Sequence, residues 1–117
     1  MTFREYVQQI VDTTPGAQAC TIMGFDGIAI DTYQVTGDLD VATLLIEYTA
    51  TLQQAWDAQT QAGVLNEMVF FGSQRIALVH RLTEEYFIAV ILASDGLVGK
   101  ARFLIRIAAP PLVKELS

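Results

Sequence analysis

The short links in the second half of this 117-residue chain constrain its fold more than any other feature of the sequence. Three segments rich in β-branched and aromatic side chains lie at residues 67–71, 75–81 and 86–92. The residues between them, 72–74 and 82–85, are too few for a crossover and can only close hairpins. The three segments are therefore predicted to be neighbouring antiparallel strands of one sheet.

An amphipathic helix is predicted at the start of the chain. Apolar side chains recur at helical spacing through residues 3–13. Thr2 is a suitable N-cap, and Glu5 three residues later completes the capping-box pattern. Pro15 and Gly16 should end this helix.

A hairpin and a long helix come next. Residues 17–23 and 28–35 are predicted strands, because the Asp-Gly pair between them is a strong hairpin signal. From residue 39 to about residue 62 the apolar side chains follow helical spacing. Asp38 is the predicted N-cap of this helix, and Gly63 is its predicted end.

The last helix is predicted over residues 97–109. Pro110 and Pro111 should end or sharply kink it, because proline lacks the N–H that a helix interior needs. The predicted order is α-β-β-α-β-β-β-α. This order indicates a single α+β domain over residues 1–117, with a five-stranded antiparallel sheet covered by helices.

The charge and hydropathy patterns indicate which partners to expect. The formal net charge is −6, and no lysine or arginine occurs between Arg4 and Arg75. Nucleic acid is therefore not an expected partner, because binding it requires a basic surface. No apolar run approaches the roughly 18 residues of a membrane span, and no signal-peptide pattern opens the chain. We expect a cytoplasmic protein that does not insert into a membrane.

Residue types that support chemistry are scarce. His80 and Cys20 are the only histidine and cysteine, and both lie within predicted strands, where structural roles are expected. The aspartates between residues 26 and 40 do not match a calcium-binding loop. The stretch GLVGKA at residues 96–101 is too short for a phosphate-binding loop. We expect no catalysis, no metal and no cofactor.

Three stretches of the sequence resemble the roadblock/dynein-light-chain domain family. The stretch GFDGIA at residues 24–29 is similar to that family's first hairpin. The stretches YFIAVIL at 86–92 and LVGKARF at 97–103 are similar to the last strand and the start of the last helix in bacterial members. The likeness covers nearly the whole chain. Profilin and longin domains are related folds that give a similar pattern and remain as alternatives.

The resemblance implies a five-stranded antiparallel sheet between helices. It also implies a homodimer in which the third strands pair across a two-fold axis and the second helices lie together. The implied function is non-catalytic: an adaptor that binds a Ras-like small GTPase and modulates its nucleotide cycle, as a GTPase-activating protein does, or its localisation in polarity or motility signalling. The alternative is a small-ligand sensor or scaffold domain of PAS- or profilin-like architecture.

The residues themselves also favour a dimer. Residues 68–71 are apolar on both faces, so at a sheet edge they would aggregate unless paired. The candidate dimer-interface residues are Leu45, Tyr48, Leu52, Met68, Val69, Phe70 and Phe71. The candidate partner-binding residues are Glu47, Tyr48, Trp56 and Asp57. Aromatic anchors beside a polar rim are typical of hot spots, although Tyr48 and Trp56 would be core residues in the alternative interpretation.

Overall fold

The computed structural model describes residues 1–58, 61 and 63–117. Its helices and strands follow the predicted order. The helices are α1 (Phe3–Thr13), α2 (Val41–Asp57) and α3 (Val98–Leu116). The strands are β1 (Ala17–Gly24), β2 (Ala29–Gln34), β3 (Glu67–Phe71), β4 (Arg75–Arg81) and β5 (Tyr86–Ala93).

The five strands form one antiparallel sheet in the order β2-β1-β5-β4-β3. The chain therefore leaves the sheet at one edge, β2, crosses it through α2, and returns at the opposite edge, β3. The three hairpin-linked strands at the end of the chain then fill the space back to β1. The predicted α+β fold, with a five-stranded antiparallel sheet between helices, is confirmed.

Both faces of the sheet are covered by helices. Helices α1 and α3 pack on one face, and α2 packs on the other. Alternate side chains of β5 supply both layers, so this central strand is apolar along its whole length. Toward α1 and α3 point Ile88, Val90 and Leu92, and toward α2 point Phe87, Ala89 and Ile91.

The second helix is shorter than predicted, and a different residue caps it. Asp40, not Asp38, is the N-cap, and its carboxylate accepts a hydrogen bond from the Thr43 N–H at 3.0 Å. The reason is that Leu39 is buried in the core, so the chain dips inward before the helix begins. The helix ends at Asp57 rather than near residue 62, and residues 59, 60 and 62 lie outside the described residues.

The prediction that Pro110 and Pro111 end the last helix is wrong. Helix α3 continues through both prolines to Leu116. Each proline removes one intrahelical hydrogen bond and crowds the preceding turn. Leu112, two residues past the first proline, is fully buried against α1 and the sheet. Burying such a side chain contributes about 1.5–3 kcal/mol, which offsets part of that cost.

Candidate protein-interaction site

Strand β3 forms an open edge of the sheet. The Gly72 N–H donates to the Arg75 carbonyl at 2.9 Å, which sets the alternation of inward and outward backbone groups along β3. By that alternation, the N–H and C=O groups of Glu67, Val69 and Phe71 point away from β4. These groups are free to pair with a further strand, which is the feature predicted for residues 68–71.

The side chains of β3 are apolar on both faces and only partly covered. Met68 and Phe70 pack toward α2, and Val69 packs toward the α1 and α3 layer. Phe71 is 73% exposed at the end of the strand. The edge therefore combines unpaired backbone groups with apolar side chains above and below them.

A ring stack joins α2 to this edge. The Tyr48 and Phe70 rings lie 4.7 Å apart between centroids with 25° between their planes. Tyr48 is 37% exposed, so the stack reaches the surface. A groove of about 240 Å³ continues from it, between Leu44 of α2 and the β3–β4 hairpin. The open edge and this part of α2 thus form one continuous apolar surface, which we call the β3–α2 surface.

The outer face of α2 is acidic. Glu47 and Asp57 are both exposed on it, and the helix contains no lysine or arginine. Ile46 is 54% exposed beside Glu47 and was not among the predicted partner-binding residues. Its position on the helix was ambiguous from periodicity alone, because Leu44, Leu45 and Ile46 are all apolar.

Three of the candidate residues lie in the core instead of at the surface. Leu45 and Leu52 are fully buried between α2 and the sheet, and Trp56 is only 4% exposed. The Trp56 ring meets Phe25 edge-on, with centroids 5.1 Å apart. For Trp56 the alternative interpretation, a core residue, is the one that the structure supports. Tyr48 is only partly covered and remains available to a partner.

A solved structure of MglC from Myxococcus xanthus is similar to this chain over nearly its full length. The two share 30% sequence identity, the match covers 98% of this chain and 99% of that one, and the TM-score is 0.72. The chain belongs to the roadblock/LC7 domain family. Its structural neighbours place it with the bacterial gliding-regulator type of roadblock domain. No protein-family model matches the sequence, and a comparison with curated proteins gives no match.

Other roadblock structures share the fold at lower sequence identity. An MglB structure described as having a tetrameric arrangement has a TM-score of 0.80 at 15% identity, over 94% of this chain and 84% of that one. A roadblock/LC7 domain from Streptomyces avermitilis has a TM-score of 0.72 at 12% identity, over 96% and 98% of the two chains. Profilin IB from Acanthamoeba castellanii, of the alternative fold family, reaches 0.66 at 13% identity over 99% and 100%. The roadblock and profilin folds are thus related, and the identity to MglC decides between them.

A polar cluster supports β3 from the α3 side of this roadblock domain. The Glu67 carboxylate accepts a short hydrogen bond from the Arg102 guanidinium of α3. On β4, the Nδ1 atom of His80 lies 3.6 Å from the other Glu67 oxygen. Burial lowers the pKa of His80 below its ordinary value, and the Glu67 carboxylate opposes that shift. The cluster anchors the edge strand, and local sequence pattern gives no signal for it because its members are distant in the chain.

The other residues considered for chemistry have structural roles. Cys20 is fully buried, and burial raises the pKa of its thiol. Asp26 accepts a hydrogen bond from the Ile28 N–H inside the first hairpin, as expected of a turn residue. Gly96 begins the turn before α3 and packs against Gly16 so closely that a Cβ on Gly16 would lie 2.5 Å from the Gly96 Cα.

Two further structural searches gave negative results. Among the described residues, no group of three or more His, Cys, Asp or Glu side chains is placed to hold a metal ion. No helix within the described ranges combines the length and apolarity needed to cross a membrane.

Proposed function

We propose that this roadblock domain is a non-catalytic homodimer that binds a Ras-like small GTPase and modulates its nucleotide cycle or its localisation. The observation that carries the proposal is the β3–α2 surface. It joins an unpaired strand edge to an exposed aromatic stack, beside an acidic helix face. The partner class follows from membership of the roadblock family and from what the sequence resemblance implies.

The two edges of the sheet differ in a way that favours pairing at β3. At the β2 edge, the Arg4 guanidinium donates to the Thr32 carbonyl and lies 3.5 Å from the Asp31 carboxylate. The strand also bulges, because Ile30 has no partner in the register with β1. Charges and bulges at an edge are devices that prevent strand addition. In the described part of the chain, no side chain donates to the outward carbonyls of β3.

Pairing of β3 with its own copy places the acidic faces together. A two-fold axis perpendicular to the sheet would extend it to ten strands and leave both α2 helices on one side. The paired helices would present Glu47 and Asp57 twice, with Tyr48 close to the seam. In this proposal Tyr48, Met68, Val69, Phe70 and Phe71 form the dimer interface. Leu45, Leu52 and Trp56 support it from within the core.

Amide hydrogen exchange tests the dimer at single-residue resolution. In a β3-paired dimer the amides of Val69 and Phe71 should be protected at high concentration and exchange faster on dilution. The amides of Met68 and Phe70 point toward β4 and should be protected at both concentrations, so they are internal controls. Fast exchange of Val69 and Phe71 at every concentration would mean that the seam is elsewhere.

Capture and kinetics test the GTPase. A Ras-like GTPase should be recovered from the native lysate with GTPγS or GDP present, and the purified pair should bind. Reversing Glu47 and Asp57 to lysine should slow association several-fold at low salt and less at about 150 mM salt, where screening acts over about 8 Å. Dimer mass should be retained in the double variant. An unchanged association rate at low salt would remove the partner from this face.

A further inference from the structure

The layer on the other face of the sheet carries an apolar surface that the β3–α2 proposal does not use. Phe103 and Ile107, one turn apart on α3, are 57% and 58% exposed. Beside them an open groove of about 330 Å³ runs between α1 and α3. We call it the α1–α3 groove. Its lining is mainly apolar and consists of Met1, Tyr6, Gln9, Ile10, Leu104, Ile107, Ala108 and Pro111.

Free cations surround this apolar surface. Lys100, Arg106 and Lys114 lie on the exposed side of α3, and none has an ion pair with another described residue. Lysines and arginines number seven in the whole chain, and four of them are in α3. The fourth, Arg102, is already paired with Glu67. The α3 surface therefore has cations available to a partner, whereas α2 has none.

The acids of the neighbouring helix are partly occupied. The Glu5 carboxylate of α1 accepts a hydrogen bond from the Thr2 N–H in the capping box. Asp12 interacts with the Tyr33 side chain, and this interaction contributes to raising the pKa of the Tyr33 hydroxyl after the larger effect of desolvation. They leave the cations of α3 largely uncompensated across the groove.

We propose that the α1–α3 groove binds an amphipathic α-helix of a partner protein whose apolar stripe is flanked by acidic side chains. A groove between two helices takes the ridge of a third helix, with anchors at every third or fourth residue. Phe103 and Ile107 follow that same spacing. The proposal needs only the single chain and does not depend on the dimer or on GTPase binding.

Charge complementarity selects the acidic flank. The chain as a whole carries a net charge of −6, so an acidic helix is repelled by most of its surface. The α3 side is the exception, and it joins the cations to apolar contact area. The same charge distribution would steer a basic helix to α2 instead, which gives the groove its specificity.

Two designed peptides provide the test. Each is a fluorescein-labelled amphipathic helix of about 18 residues, five turns, with leucines on one face. One carries glutamates beside the leucines, and the other carries lysines at the same positions. Fluorescence anisotropy with the full chain should show the acidic peptide binding at least about tenfold tighter at low salt, with the preference reduced at about 150 mM salt.

Matched variants locate the site. Ile107→Gln and Lys100→Glu should each weaken binding of the acidic peptide, the first by about tenfold from lost apolar contact. Ile28→Gln alters a side chain that is 68% exposed on the first hairpin and should leave binding unchanged. All three positions are at the surface, so melting temperatures should stay near that of the unaltered chain. In the unaltered chain, NMR shift changes on adding the acidic peptide should cluster on α1 and α3.

Other results would overturn the proposal. Equal affinity for the two peptides, no binding of either, or shift changes centred on α2 would each do so. Vesicles of phosphatidylcholine with and without about 30% phosphatidylglycerol form a further arm, because a cationic apolar helix face also suits anionic lipid. Binding to anionic vesicles that is lost in Ile107→Gln, without binding of the acidic peptide, would assign the surface to a membrane instead.

Discussion

Phe70→Asp should separate dimerisation from folding. The Phe70 ring is half-buried and stacks on Tyr48 at 4.7 Å, so in the free chain the substitution removes an aromatic pair worth about 0.5–1.5 kcal/mol. In a β3-paired dimer the new carboxylate would also lose its remaining water, twice per dimer. At about 2–3 kcal/mol for each poorly solvated carboxylate, the dimer loses about 4–6 kcal/mol, or roughly a thousandfold or more in Kd.

Light scattering and circular dichroism measure the two effects separately. At tens of micromolar the unaltered protein should have a mass of about 26 kDa, twice the 12.9 kDa of the chain. Phe70→Asp should have the mass of one chain and a helical spectrum close to that of the unaltered protein. Phe103→Asp places the same charge on α3, at a side chain 57% exposed, and should remain dimeric.

Leu52→Asp provides the contrast that tests the reasoning. Leu52 is fully buried beneath α2, so a carboxylate there should unfold the chain instead of splitting a folded dimer. A folded monomer from Leu52→Asp would mean that α2 packs differently against the sheet. A dimeric Phe70→Asp with an unchanged melting temperature would refute the assignment of β3 to the seam.

Three further predictions concern the other edge, pH and the thiol. Arg4→Ala frees the Thr32 carbonyl at the β2 edge and should give concentration-dependent assemblies larger than a dimer in light scattering; an unchanged mass distribution would show that the bulge alone protects this edge. Burial lowers the pKa of His80 below 6.5, so the fold favours the neutral ring; its contribution to stability should be full above about pH 6.5 and decline as pH falls through the folded-state pKa. Urea unfolding at several pH values measures this decline, and His80→Gln should show less of it than the unaltered chain. Cys20 is fully buried with a raised thiol pKa, so it should resist iodoacetamide until the chain is unfolded. Cys20→Ser should lower stability by about 1–3 kcal/mol with partner binding retained.

Much of the local structure was predictable from the sequence. The bounds of β3 and β4 were predicted to the residue, because short links and period-two patterns act over a few neighbouring positions. The capping box at Thr2 and Glu5 was predicted for the same reason, since both partners lie within one turn. Antiparallel topology followed from link length alone.

The tertiary structure decided what covers each apolar residue. Leu45, Leu52 and Tyr48 share one helix and similar spacing, yet two are buried and the third is partly exposed. Periodicity identifies an apolar stripe, but the position of the sheet beneath it determines which members face inward. Helix α3 passes through its prolines for a related reason: burial of Leu112 acts against a local preference to stop.

Contacts between distant segments also lay beyond local pattern. The sequence alone determined that the chain has five strands, three helices and an uneven charge. Only the fold placed β3 at an open edge, set Glu67 against Arg102, and left the cations of α3 beside an apolar groove on the face opposite α2. The physical reason is that register and helix placement are set by many weak packing contacts acting together, and no single stretch of residues contains them.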